Sequence, residues 1–347
     1  MEFIRESIFV SALRSFCKMF FAVCGILLAL FLFSMVYSFS SDAVLVEPKT
    51  TMSILPDAEG KKEMQPATSP AILQLNIHGV IGEPNVLDSD IIENILLESR
   101  TGLLANDRVK GILIHFNTPG GTVVDSDNIY RMLMDYKARY KVPVYAYVDG
   151  LCASGGMYIS SSAEKIFASP ASVIGSVGVI FGPFFNISDS LGKIGVQSRT
   201  LTEGLDKDAM SPFRPWKEGE DASYKAIISF FYNRFVNIVT AARPNLDKQK
   251  LVSQYGAQIF DPVQAMQYGY IDKADASRGD ALLALLEEAK IDPAHPYQVV
   301  ELQPRRDLVS QLFRGECSLL TGKVEHSFDL GQPKIKGQFA YLYQPNE

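Results

Sequence analysis

The chain has 347 residues, about twice what a single domain ordinarily takes, so it holds two domains or one larger α/β unit with appendages. Hydrophobic residues make up 47% and charged residues 21%, a mix that buries a core and excludes wholesale disorder, a collagen-like repeat or a bare coiled coil. Lys+Arg 33 against Asp+Glu 39 leaves a net charge of −6, so no basic surface points to nucleic acid.

Met19 to Ser41 carries no charged residue. As a helix it reaches roughly 34 Å, enough for a ~30 Å hydrocarbon core. A cleaved signal peptide has a shorter apolar stretch, and Ser38-Phe39-Ser40 is a weak small-x-small cleavage site, so the reading is a retained signal anchor. Arg5, Arg14 and Lys18 precede the span and only Lys49 follows closely, which places the N-terminus (1–18) in the cytoplasm and the remainder outside. Residues 42–70, with prolines at 48, 56, 66 and 70 and no sustained apolar period, read as a flexible tether.

After Pro70 short apolar runs alternate with amphipathic stretches. Ala71–Ile77, Val109–Phe116 and Val142–Val148 read as strands, with helices over 88–104 and 125–140 and a short one from Ser154. Further strands are expected near 165–168, 173–180 and 196–202, then a long helix from about Glu220 to Ala242. Strands alternating with helices mean βαβ units and a mostly parallel sheet. No internal repeat is visible. Residues 291–347 form a C-terminal extension with Arg305-Arg306, an apolar patch at 308–313 and a β-like run, Gly337–Tyr343.

Three places carry chemistry. Asn117-Thr118-Pro119-Gly120-Gly121 follows a buried strand, and its paired glycines suit either a plain turn or a cradle of outward N–H groups for an oxyanion. Gly150-Leu151-Cys152-Ala153-Ser154-Gly155-Gly156 sets a serine at a strand–turn–helix junction, where Ser154 is a nucleophile or a helix N-cap. Cys152 holds the place where the lipase elbow needs glycine, and it reads as buried filling rather than a nucleophile. A serine nucleophile needs a base, and no histidine (78, 115, 295, 326) lies in a comparable loop. A lysine is the other solution. The candidate is Lys207, which between Asp206 and Asp208 also reads as part of a solvated charge cluster. An extended backbone there would turn both carboxylates away from it. The four cysteines (17, 24, 152, 317) fit neither a disulfide framework nor a zinc pattern, and no metal or cofactor is expected.

The run from Val109 to Gly121 resembles the "NSPGG" segment of the signal peptide peptidase A family, serine peptidase family S49. Pro143–Ile159 resembles that family's nucleophile block, Ala163–Val179 its continuation, and Glu203–Asp208 its "SGxxKD" lysine motif. Phe235…Arg243 and Phe260–Asp272 are similar to its later helix and "AxxxGLVD" element. The match runs in order over about 71–290, taken as the peptidase domain. The departures are Thr118 for a serine, Cys152 for an alanine, and Glu203 for the serine of the lysine motif.

The resemblance implies Ser154 as nucleophile, Lys207 as general base, Ser176 orienting the lysine, and the N–H groups of Gly120, Gly121 and Gly155 as the oxyanion hole. It also implies a Clp protease/crotonase-like α/β fold of repeated ββα/βαβ units behind the transmembrane helix, and short subunits joined in a homo-oligomeric ring. Extended apolar peptides such as remnant signal peptides would be cleaved at the outer face of a bacterial inner membrane. An inactive membrane-tethered scaffold and a crotonase-like acyl-CoA enzyme are the alternatives.

Overall fold

The structure, a computed structural model, describes residues 8–40, 49–305 and 340–342. The apolar patch read at 308–313 lies outside them. The chain divides into two units, Met1–Pro48 and Lys49–Glu347.

In the first unit, α1 (Ile8–Ser40) is one unbroken helix. Its segment Ala12–Phe33 has a mean hydropathy of 2.5 and is long and apolar enough to cross a membrane. This span begins earlier than the stretch read from Met19, and Arg14 and Lys18 fall within it. Long basic side chains near a helix end reach back to the interface along their apolar stems.

The second unit opens with β1 (Thr50–Leu55) and β2 (Ala71–His78), followed by α2 (Ser89–Glu98), whose N-cap Asp88 accepts the Ile91 N–H. β3 (Val109–Thr118) and the three-residue β4 (Gly120–Thr122) lead into α3 (Val123–Tyr140), capped by Thr122 and ended by Lys141 in the left-handed region. Next come β5 (Val144–Ala153), α4 (Gly155–Ser160), β6 (Lys165–Ala168) and β7 (Val173–Gly175). The short α5 (Ser188–Lys193) precedes the long α6 (Ala222–Ala242). Then follow α7 (Lys248–Lys250), β8 (Ile259–Phe260), α8 (Pro262–Tyr268) and α9 (Arg278–Glu288), the last with a Ser277–Asp280 capping box. β9 (Gln298–Pro304) and β10 (Ala340–Leu342) complete the described elements.

Eight strands form one sheet in the order β1-β9-β2-β3-β5-β7-β8, with β6 also paired to β5. β9, β2, β3, β5, β6 and β7 run parallel, while β1 and β8 are antiparallel edges. Parallel strands are covered on both faces, and so AILQLNI and VKGILIHF are apolar almost throughout. Leu73, Leu75, Ile77, Ile112, Ile114 and Phe116 pack toward the core that includes Ile92, Ile129, Leu133 and Phe235. Ile72, Leu113 and Tyr145 face Leu282, Leu285 and Leu286 of α9.

Two expectations need correction. The tether read over 42–70 holds β1, paired with β9 from Thr50↔Pro304 to Leu55↔Val299, and the 291–347 extension contributes that partner. The sheet therefore extends beyond 71–290 at both ends, through a pairing no local pattern discloses. No strand forms at 196–202, where the residues are exposed and pair with no strand among the described residues.

Candidate active site

β3 and β5 end side by side, and the turns that leave them build the site. At the end of β3, Asn117 Oδ1 accepts the Leu151 N–H at 3.2 Å and ties the two turns together. Thr118 is fully buried; its Oγ1 donates to the Gly79 carbonyl at 2.6 Å and accepts the Gly120 N–H at 3.0 Å. Of the three amides singled out from the sequence, that of Gly120 is thus already engaged.

Gly121 sits where no side chain fits, because a Cβ there would fall on the Ile81 carbonyl. Thr122 accepts the Asp125 N–H and starts α3, and one turn on Ser126 donates to the Thr122 carbonyl at 2.7 Å. A Cβ at Gly155 would lie 2.5 Å from Ser126 Oγ and 3.2 Å from the Gly121 nitrogen. The turn after β3 and the turn after β5 therefore meet glycine to glycine. The sequence singled out the glycines but passed over Asn117 and Ser126, whose only local mark is a small polar residue next to a turn.

Ser154 occupies the N-cap position of α4 with φ 54° and ψ −113°, and its side chain makes no capping bond. A non-glycine residue at positive φ is strained by about 1–3 kcal/mol and persists where its surroundings over-determine it. Those surroundings are the Ser154 N–H donated to the Gly175 carbonyl at 2.9 Å and the Tyr158 N–H donated back to the Ser154 carbonyl at 3.1 Å. Ser154 is 1% exposed, and among the described residues its hydroxyl has no hydrogen-bond partner. The choice left open by the sequence, cap or free hydroxyl, resolves against the cap.

β5 and β7 pair through Ala153↔Gly175, which sets Ser154 and Ser176 as the next residues on adjacent strands. Ser176 also has positive φ (57°), is 4% exposed, and donates its N–H to the Gln258 carbonyl at 2.7 Å. Cys152 is fully buried, and burial pushes its thiol up to about 12, which keeps it protonated and unreactive.

Lys207 is exposed and lies in a turn, not in an extended segment. The extended reading, which would have turned both neighbouring carboxylates away, does not hold. One of them is nonetheless occupied: Asp208 is gripped by Arg214 at 2.7 Å, which also reaches Glu220 at 2.6 Å and holds the Asp208 carboxyl below the usual range. Leu201 and Leu205, on the same segment, are 82% and 96% exposed. Within one chain the structure joins Ser154, Ser176, Gly121 and Gly155; Lys207 forms no hydrogen bond with them.

One helical turn beyond Ser154, a cavity of about 300 Å³ opens between α3, α4 and α6. Val123, Val124, Phe230 and Phe231 line it beside Tyr158, whose hydroxyl donates to Asp127, itself paired with Arg234 at 2.7 Å. Among the described residues no group of three or more His, Cys, Asp or Glu is placed to hold a metal.

A buried serine on a strained strand-to-helix turn, flanked by glycine amides on a mostly parallel sheet, defines a Clp protease-like peptidase domain, and the Clp protease family model matches residues 86–180. The model of peptidase family S49 matches residues 137–292. The protein named "Putative signal peptide peptidase SppA" in Enterococcus faecium is 33% identical over 232 residues, 66% of each chain. A Synechocystis protein named as a putative protease is 32% identical over 214 residues, 60% of this chain and 74% of its own. Protease 4 of Haemophilus influenzae is 31% identical, and the match spans 32% of its length. Among solved structures, a ClpP1 mutant from Listeria monocytogenes has 19% identity and a TM-score of 0.39, covering 60% of this chain and 94% of that one. The 1510-N membrane-bound stomatin-specific protease has 17% identity and a TM-score of 0.41, covering 69% and 100%. The chain belongs to peptidase family S49, a family of serine peptidases.

Proposed function

We propose that this chain is a membrane-anchored serine endopeptidase that uses a Ser154–Lys207 pair to cleave extended apolar peptides, remnant signal peptides among them. The observation that carries the reading is Ser154: buried, held at positive φ, and with its hydroxyl committed to no cap. Its Oγ attacks the scissile carbonyl while the Lys207 amine takes the proton, then passes it to the leaving amine. Water hydrolyses the acyl-enzyme by the reverse relay. The N–H groups of Gly121 and Gly155 receive the oxyanion, Gly120 being held by Thr118 to shape the turn, and Ser176 orients the lysine. Two features support apolar substrates: the cavity beside α4 is lined by valine and phenylalanine, and α1 would keep the site near a bilayer. Arg14 and Lys18, near the N-terminal end of the span, support an orientation with the N-terminus in the cytoplasm.

Assembly belongs to the same proposal. Lys207 lies on an exposed stretch flanked by Leu201, Leu205, Phe213 and Trp216, apolar surface that a second copy in a ring would cover, so Lys207 serves a neighbouring subunit's Ser154.

A fluorophosphonate probe tests the chemistry. Ser154 should label, Ser154→Ala should not, and Lys207→Arg should neither label nor turn over peptide, because guanidinium stays protonated at any usable pH. A protein whose Ser154 never labels is a scaffold and not a peptidase. Mixed oligomers of Ser154→Ala and Lys207→Ala should regain part of the activity; none would place both residues in one subunit.

A further inference from the structure

β4 has a second neighbour from far along the chain. β10 pairs with it antiparallel, with Ala340 opposite Thr122, Tyr341 opposite Gly121 and Leu342 opposite Gly120. The direction of each backbone group in β4 follows from its other side. Ile81 donates its N–H to the Gly120 carbonyl at 2.9 Å and accepts the Thr122 N–H at 2.9 Å. Backbone polar groups alternate along a strand, so the N–H and C=O of Gly121 point away from Ile81, toward Tyr341, and these two residues form a hydrogen-bonding pair of the ladder.

Gly121 is the residue of the Pro-Gly-Gly turn whose amide lies against α4 at Gly155, the first residue after the nucleophile. An extended peptide laid antiparallel on this edge would put a backbone carbonyl on the Gly121 amide beside Ser154, the usual way a strand edge captures a peptide. β10 lies along that edge and is also close to α3 and α4. Its sequence, with Phe339, Ala340, Tyr341, Leu342 and Tyr343 in succession, has the apolar character proposed for the substrates.

We infer that residues 340–342 are a resident strand which occupies the peptide-binding edge of β4 and competes with substrate for it. The inference rests on the proposed peptidase reading of that edge, and it makes the enzyme self-restrained. A peptide must displace a strand tethered to the same chain, whose effective concentration at the edge is of millimolar order. Three residues form a short ladder, so displacement stays possible and the restraint is partial.

The test uses the full chain and one backbone-directed change. Tyr341→Pro removes the N–H and fixes φ, which breaks the pairing with Gly121, whereas Tyr341→Ala keeps the backbone intact. Tyr341→Pro should raise kcat/KM on a fluorogenic apolar peptide by about fivefold, mainly through KM, as the loss of two backbone hydrogen bonds allows. Tyr341→Ala should stay near wild type, while labelling of Ser154 by a small fluorophosphonate should be faster in Tyr341→Pro, because the Gly121 N–H that receives its phosphoryl oxygen is freed. Adding a synthetic peptide of residues 337–343 should inhibit Tyr341→Pro competitively. Hydrogen exchange supplies a readout independent of turnover: the Gly121 amide should be protected in wild type, exposed in Tyr341→Pro, and protected again by that peptide. If exchange at Gly121 is the same in wild type and Tyr341→Pro, or if kcat/KM fails to rise in a variant that still labels, the strand does not restrain the site. If wild type never labels at Ser154 while the exchange pattern holds, the peptidase reading fails and strand occupancy stands.

Discussion

Thr118 shows how much one hydroxyl holds at this site. It is fully buried, donates to the Gly79 carbonyl and accepts the Gly120 N–H, and so fixes both ends of the turn that presents Gly121. Valine has the same shape without the hydroxyl, and Thr118→Val would leave the buried Gly120 N–H unpaired at about 1–3 kcal/mol, while the carbonyl of the exposed Gly79 can turn to water. We expect Thr118→Val to lower stability in urea unfolding by about 1–3 kcal/mol and kcat by at least ~10-fold, through loss of the turn's geometry. Thr118→Ser should keep most of both. The sequence marked this position only as a small-for-small departure. The role is invisible there because the acceptor, Gly79, belongs to the end of a different strand.

Among the elements, those read correctly are those whose own pattern is enough. β2, β3 and β5 are apolar along their length, and α3 and α6 carry a long apolar stripe, so each was legible alone. β1 was not, because TTMSIL becomes a strand only by pairing with QVVELQP. The stretch at 196–202 misled for the converse reason: it was read as a strand by itself, and among the described residues it pairs with none. At the site, Ser154 and the glycines stood out because they sit in turns directly joined to those strands, whereas Ser176 was singled out only through the family resemblance. Lys207 is carried on an exposed segment that nothing local fixes.

Arg243 bolts three of these elements together at the end of α6. It is 4% exposed, pairs with Asp272 at 2.6 Å, and donates to the carbonyls of Ala163 and Glu164 in the loop after α4. Arg243→Ala leaves those acceptors without their cation and should lower stability by about 3 kcal/mol in chemical denaturation. Arg243→Lys should recover less than half, since an ammonium cannot reproduce the forked contacts.

At the scale of the whole molecule, one side of the sheet holds a pair of imidazoles that shapes its response to acid. His78 and His115 meet edge to face at 4.7 Å, and His115 stacks on Tyr147. Burial first, then the neighbouring His78, pushes the His115 imidazole down to about 4, and burial lowers His78 as well. The Asp149 carboxylate, 3.9 Å from Nε2, is too far for a hydrogen bond and does not offset this. A histidine with a depressed folded pKa contributes its stability above its unfolded value near 6.5, and loses it as pH falls toward about 4. The melting temperature of the folded domain should therefore be flat above pH 7 and fall between about pH 6.5 and 4. His115→Phe, which keeps the ring packing and removes the titration, should flatten most of that slope; an unchanged slope would assign the acid response to other groups.

The place of β9 in the sheet also fixes an order in time. β1 comes early in the domain, yet the sheet reaches it only through β9, and the paired residues Thr51 and Gln303 stand 252 residues apart in the sequence. While the chain is being synthesised, β1 has no strand to join, and the flank of β2 that β9 will cover stays open. Neither gap can close until the ribosome has passed residue 304. A nascent chain therefore carries two unpaired strand edges for nearly the whole of its synthesis, the condition under which nascent chains most need shielding from one another. The strand made late is the wedge that admits the one made early, so this domain closes its sheet only after nearly all of it has been made.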